Sequence, residues 1–429
     1  MNCSNFFKKR YKFCSKYVRM KLLDECWKGR ETVRLLFYEW NSLTHPYMYK
    51  ALKEMGIHLD IARMPYKPRI PDDQDKFKET LARMLETRRY DVVFSINFFD
   101  VIAEVCHEKG RLYVSWSYDS PSLGGKQETH KYDTNRIFLF DSAEVELHKL
   151  LGQDNIYHMQ LAVDTDELDS IKGTPEEIEK FTSDISFVGQ LYSTQIKELM
   201  PLLSPYYAGY LSAFVNAQLK IYGMDILGEL INTNMLDLIN TPEFEKGLLP
   251  FAEELGLYDD KICSQVLKVF LQRAVTNKER VLMLSMLSRY HSVNLFSNDK
   301  QEDALRDVNF CGGVEYFKQM PVVFKHSKIN LNITLRSILK GMPQRCLDVM
   351  GCRGLLMTNY QEDIFEYLED GKDLVVYSDV GDAVEKADFY LRHEDAAEKI
   401  RESGYQKMKQ CFTYKGQLEK IWKLSGVKL

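Results

Sequence analysis

The sequence predicts an α/β fold of two Rossmann-like, doubly wound parallel-sheet domains in tandem, the second carrying a helical insertion. Three observations lead there. The chain is 429 residues long, beyond the roughly 250–300 at which a single hydrophobic core stops growing. Strand-like and helix-like stretches alternate along it, the rhythm of a parallel sheet covered on both faces. That rhythm runs twice, and a purely helical stretch at 193–290 interrupts the second run.

The first run occupies 31–170. TVRLLFYEW reads as a buried strand, PYMYKALKEMG as a helix closed by Gly56, and IHLDIARM as the next strand. DKFKETLARMLETRR then leads into YDVVFSIN, DVIAEVCHEKG into RLYVSWSYD, and NRIFLF, AEVELHKLLG and IYHMQLAVD complete the series. The polar DELDSIKGTPEEIEKFTSD reads as a connection between domains. The second run, 182–410, opens with ISFVGQLY and resumes after the insertion with SVNLFSN, VNFCGG, MPVVFKHS and KINLNIT. It goes on through PQRCLDVMGC, GLLMTN, DLVVYS and two helices. A last helix is expected at 411–429, packing back on the N-terminal domain. Tandem parallel sheets place ligands at the carboxyl ends of their strands, facing a shared cleft.

The first 30 residues stand apart, with nine Lys or Arg against Asp24 and Glu25. Phe7, Tyr11, Cys14, Val18 and Leu22 recur at helical spacing and form an apolar stripe. Such a basic amphipathic helix suits peripheral contact with an anionic membrane, and it equally suits packing on the rest of the protein. Elsewhere the composition is that of an ordinary globular protein, 45% hydrophobic and 28% charged. A net charge of −5 supplies no strong field for nucleic acid. Nine scattered cysteines without a CxxC pair suit reduced thiols, and no apolar run reaches bilayer-spanning length, so a soluble, cytoplasmic protein is expected.

The most informative stretch is INLNITLRSILKGMPQRCLDVMGCRGLLMTNYQEDIFEYLEDGKDLVVY, 329–377. Gly341 allows a tight turn, and Pro343 suits the first position of a helix, where its missing N–H is no loss. That helix would present free N–H groups and a positive dipole end to the cleft, an anion site. Arg336, Lys340 and Arg345 cluster at the same turn, and an Arg fork matches phosphate oxygens. Gln344 and Asp348 share one helix face at i, i+4. Phosphate held by backbone and Arg, with ribose held by Asp, describes a nucleoside-diphosphate pocket. A helix cap with a solvated Arg–Asp pair fits the same residues.

Between these readings a resemblance decides. INLNIT, RCLDVMGCRGLLMTNY, EYLEDGKDLVVYSD, EKADFYLRH and GYQKMKQCFTY make residues 310–412 similar to the C-terminal, group-1 glycosyltransferase domain of the spore-maturation CgeB-like proteins, relatives of the family-4 glycosyltransferases. Upstream, ISFVGQLY resembles the first strand of the donor domain, with Gly189 as its terminal glycine. The resemblance implies the GT-B fold, a nucleoside-diphosphate sugar as donor, and neither metal nor other cofactor, because protein cations and a helix N-terminus neutralise the diphosphate. It places Gly189, Asn332, Arg336, Lys340, Gln344, Arg345, Asp348, Thr358, Asn359 and Tyr360 around the donor nucleotide. Asp348 stands where the family holds the ribose with a glutamate. Lys340 stands where it has a second glutamate near the donor sugar, a departure from the pattern.

The first domain offers Glu39, Trp40 and His45 after its first strand, Asn97 after the third, and Trp116, Asp119 and Ser120 after the fourth. If transfer inverts the anomeric carbon, Asp119 or His45 serves as the base; if it retains, the same residues orient the acceptor. Asp119 also reads as a turn residue before Ser-Pro, and His45 as an ordinary residue opening a helix before Pro46. No P-loop, HExxH or GxSxG occurs. Epimerisation of a nucleotide sugar and a non-catalytic scaffold on a degenerate fold remain as alternatives to hexosyl transfer onto a glycan, protein or small-molecule acceptor.

Overall fold

The computed structural model describes residues 32–40, 42–64, 71–122, 127–231, 239, 241–254, 264–299 and 302–428. The basic N-terminal segment, 1–30, lies outside the described residues.

Two six-stranded, wholly parallel sheets organise the chain. The first contains β1 (Arg34–Tyr38), β2 (His58–Ala62), β3 (Val92–Ile96), β4 (Leu112–Trp116), β5 (Asn135–Leu139) and β6 (Ile156–His158), in the order β2-β1-β3-β4-β5-β6. Its crossovers are α1 (His45–Glu54), α2 (Pro71–Thr87), α3 (Asp100–Glu108), α4 (Gln127–His130) and α5 (Ser142–Leu150). All five residues of β3 are buried, as a strand covered on both faces requires. The direction of strand order reverses between β1 and β3, so the first sheet's ligand crevice opens above Tyr38 and Ile96.

The expected polar connection is not extended. It holds two short helices, α6 (Thr165–Ser170) and α7 (Pro175–Phe181), capped by the side chains of Asp164 and Thr174. The Asp and Thr that make the stretch look like a linker are the caps that let short helices form there.

The second sheet contains β7 (Ser183–Val188), β8 (Val293–Phe296), β9 (Asn309–Phe310), β10 (Ser327–Asn332), β11 (Leu356–Asn359) and β12 (Val375–Tyr377), in the order β12-β11-β10-β7-β8-β9. Counted within the domain this is 6-5-4-1-2-3, the dinucleotide-fold order, with its crevice between β7 and β10. Between β7 and β8 lie α8 (Ser193–Leu199), α9 (Pro205–Leu219), α10 (Ile226–Leu230), α11 (Pro242–Glu254) and α12 (Ser264–Leu287). Leu211, Phe244, Leu248 and Phe270 give these helices a core of their own. The 24-residue α12 spans about 36 Å. Its first half packs in that core, while Met283, Leu284 and Leu287 pack against the second sheet. The helical region is therefore tied to the donor-type sheet by a shared rod. Among the described residues, no helix is long and apolar enough to cross a membrane.

The remaining helices are α13 (Met320–His326), α14 (Gln344–Gly351), α15 (Val380–Arg392), α16 (Glu394–Cys411) and α17 (Tyr414–Ser425). After α16 the chain returns to the first domain. Tyr414 stacks on Tyr47 of α1 at 5.6 Å, and Trp422 meets Phe94 of β3 edge-on. One apolar core consequently runs from Phe94 and Trp116 through Val163 to Leu347 and Leu356, across both sheets.

Candidate active site

Gly189 follows β7, and its N–H bonds the Phe296 carbonyl at 3.1 Å. A Cβ there would lie 3.2 Å from the Phe187 ring and 3.8 Å from Arg280 Nη1. On the other side of the crevice, Asn332 Nδ2 donates to Thr334 Oγ1 and to Thr358 Oγ1, and Asn359 Oδ1 accepts from the Thr334 N–H. Asn332, Thr358 and Asn359 are buried and knit the strand ends into a rigid floor, while Tyr360 is exposed. Three of the four expected strand-end contacts are thus buried, as a strand covered on both faces requires.

The loop from β10 to α14 departs most from expectation. Arg336 is 8% exposed: Nε donates to Glu279 at 2.8 Å, and Nη1 and Nη2 donate to the carbonyls of Ile221 and Leu219. Its guanidinium lies 3.7 Å from the Tyr222 ring centroid. The cation expected at the diphosphate instead fastens the helical region to the loop. Its neighbour Ser337 donates Oγ to the Ser120 carbonyl of the first domain at 2.8 Å. Lys340 meets Glu146 and Glu362 at 3.1 and 3.4 Å, both largely exposed acids. Surface pairs of this kind are worth about 0–1 kcal/mol, so an incoming anion displaces them cheaply.

The same loop is gripped by Asp141, the N-cap of α5. Its carboxylate accepts from the backbone N–H groups of Leu339 and Lys340 at 2.7 and 3.1 Å, and from Ser120 Oγ. Burial pushes the Asp141 carboxyl up, against those hydrogen bonds. Gly341 packs so closely that an added Cβ would lie 2.9 Å from the Asp141 Cα. Asp141→Ala leaves two inter-domain N–H groups without an acceptor and is expected to cost about 1–3 kcal/mol. Urea unfolding would show it; a midpoint within error of the parent would mean that the contact is incidental.

Pro343, expected as the first helical residue, is instead the N-cap, with extended ψ of 157°, and α14 begins one residue later at Gln344. Within the helix Gln344 Nε2 donates to Asp348 Oδ1 at 2.9 Å, and Arg345 lies 3.6 Å from Asp348 Oδ2. Asp348 is 4% exposed, and the Tyr316 hydroxyl sits 3.3 and 3.4 Å from its two oxygens. Burial pushes the Asp348 carboxyl up, opposed by Arg345, Gln344 and Tyr316. The charge of this acid reaches Tyr47, Tyr118 and Tyr414 as well as Tyr316. Burial foremost, and its charge in addition, hold all four phenols above their ordinary range. Helical periodicity correctly pairs Gln344 with Asp348, but it carries no sign of the tyrosines, which come from distant segments.

In the first domain, Asn97 sits at the crevice between β1 and β3 in the left-handed region, φ 62°. Asn is one of the few residues that tolerate it. Its Oδ1 accepts from the Tyr118 N–H at 2.9 Å and its Nδ2 donates to Asp119 Oδ2 at 2.6 Å. Asp119 is open to solvent yet walled by protein on most sides. Desolvation raises its carboxyl, Asn97 opposing and Glu144 adding to the rise. His45 differs: it is 5% exposed, edge-on to Phe37 and stacked on Tyr49, and burial lowers its pKa. In this arrangement no acceptor reaches it. Trp40 bonds the Ile96 carbonyl through Nε1, Glu39 pairs with Arg63, and Trp116 is core. The Ser120–Ser337 contact therefore brings one solvent-open carboxylate, Asp119, beside the β10–α14 loop.

Residues 278–423 match the glycosyl transferase-like family. The matched segment runs from the end of α12 to α17 and contains β10, α14 and β11, one whole wall of the second crevice. A glycosyltransferase from Rickettsia africae ESF-5 superposes with a TM-score of 0.51 at 10% identity, over 92% of this chain and 98% of that one. Sucrose-phosphate synthase from Thermosynechococcus elongatus does so with a TM-score of 0.53 at 8% identity, over 92% and 98%. The architecture is GT-B. No protein of curated function matches the sequence.

Proposed function

We propose that this protein is a GT-B glycosyltransferase that moves a hexosyl group from a nucleoside-diphosphate sugar to an acceptor hydroxyl in the cytoplasm, without a metal ion. One observation carries the reading: the glycosyl transferase-like segment builds the crevice wall whose loop bonds, through Ser337, to Ser120, the neighbour of Asp119. The donor lies between the two switch points, its ribose toward Asp348 and its sugar toward Lys340. Asp119 takes the proton of the acceptor hydroxyl as that oxygen bonds to the anomeric carbon. The bond from the anomeric carbon to the diphosphate breaks, its electron pair leaving with the nucleoside diphosphate. The finer kinship to CgeB-like proteins rests on the motifs quoted above.

A second reading, a binding protein on the same scaffold, is favoured by the engagement of Arg336, Lys340, Arg345 and Asp348 with protein partners. Incubation with UDP-, GDP- and ADP-sugars separates the two. Release of nucleoside diphosphate, raised by an acceptor and persisting in EDTA, is the expected result. Binding without release would leave the scaffold, and a new nucleotide sugar would mean epimerisation. Loss of turnover in EDTA, restored by manganese, would refute the metal-free form of the reaction.

A further inference from the structure

The second crevice contains a cation that the sequence pattern hides. Arg280 lies on α12, two turns before the helix enters the ordinary crossover to β8, and is 8% exposed. Its guanidinium joins the two chain segments that leave the crevice. Nη1 donates to the Gln190 carbonyl, beyond β7, and Nε and Nη2 donate to the Ile333 carbonyl, beyond β10, at 3.2 and 2.7 Å. The rings of Phe187 and Tyr192 lie 5.2 and 5.3 Å from it.

These partners are dipoles and ring faces, and among the described residues no carboxylate pairs with it. The adjacent Glu279 is taken by Arg336 and by the Tyr222 hydroxyl. Arg280 is therefore a desolvated charge whose nearest acid is already neutralised. Burying an ion costs several kcal/mol, and carbonyl oxygens offset part of that without cancelling the charge. An anion in the crevice would cancel it. Of the five guanidinium N–H groups, three are used in those carbonyl bonds. Gly189 lies beside the guanidinium, where an added Cβ would touch Nη1 at 3.8 Å.

We infer that Arg280, carried by the helical region, supplies the positive charge for the diphosphate of the bound nucleotide, the part expected of Arg336. The two arginines have divided the work: Arg336 pairs with Glu279 and fixes the loop, and Arg280 keeps its charge for the ligand. This rests on the donor reading above.

The test measures, by titration calorimetry, the affinity gained from nucleoside to nucleoside diphosphate. It uses uridine and UDP, guanosine and GDP, and adenosine and ADP on the parent, Arg280→Lys, Arg280→Gln and Gly189→Ala. The parent is expected to prefer one diphosphate over its nucleoside. Arg280→Gln, which removes the charge, is expected to reduce that preference by about 10- to 100-fold, and Arg280→Lys, which keeps the charge but not the fork, to reduce it less, with nucleoside affinity unchanged in both. Gly189→Ala, with Arg280 intact, is also expected to reduce it less than Arg280→Gln. A preference retained in folded Arg280→Gln overturns the inference, as does an equal loss for nucleoside and diphosphate, which marks a structural role. If the parent binds no diphosphate, it is the donor reading that fails.

Discussion

Asp119→Asn is expected to lower the rate of sugar transfer by about 10²- to 10⁴-fold, the usual contribution of a positioned general base. The substitution keeps the size of the side chain and removes only its ability to take a proton. Asp119 is open to solvent, so melting temperature and donor affinity should stay near the parent's. The pH profile supplies the second reading. A base works ionised, and desolvation raises this carboxyl, so activity should fall on the acid side above the ordinary aspartate value of about 3.9. Asn97 opposes the rise by donating to Oδ2. Asn97→Gly keeps the left-handed backbone accessible and removes that donor together with the Oδ1 acceptor of the Tyr118 N–H, so the acid limb should move to higher pH. An Asp119→Asn enzyme with parental turnover would show that the carboxylate merely closes the turn before Ser120.

Asp348→Ala is expected to weaken nucleoside diphosphate binding by roughly 5- to 150-fold, the loss of one charged hydrogen bond to a ribose hydroxyl at about 1–3 kcal/mol. The 3.3 and 3.4 Å separations from the Tyr316 hydroxyl are long for O–H···O bonds, so a ribose hydroxyl would displace a weak partner. Asp348→Asn tells a binding role from a structural one. The folded carboxyl has its pKa raised by burial, so ionisation at neutral pH destabilises the fold, and that cost vanishes as pH falls through the raised value. The Asn variant should therefore be at least as stable at pH 7 while binding nucleotide more weakly. Calorimetry and thermal melting on the two variants check both halves. Parental nucleotide affinity in a folded Asp348→Ala protein would reduce this acid to a partner for Gln344 and Arg345.

Much of the fold is legible because parallel strands buried on both faces are continuous apolar runs. VVFSI and INLN have no other stable place in a globular chain. The pairing of Gln344 with Asp348 is legible for a similar reason, since helical spacing alone puts them on one face. The partners of a charged side chain follow no such local rule. Arg336 is indistinguishable in sequence from a phosphate ligand, yet Glu279, 57 residues away, claims it. His45 follows the first strand, whose end is expected to face the cleft, but it opens α1 and the rings of Phe37 and Tyr49 close over it.

The sequence by itself determined two parallel sheets, their crevices at the strand ends, and the turn and helix beside the second crevice, because periodicity and glycine or proline chemistry act within a few residues. Only the tertiary structure decided which charges remain free. Folding brought Glu279 to Arg336, Asp141 to the Leu339 and Lys340 amides and the Tyr316 hydroxyl to Asp348, and left Arg280 without a paired carboxylate among the described residues and Asp119 open to solvent. A charge interacts with whatever lies within a few ångströms of it, however distant in sequence, and desolvation sets the strength of that interaction.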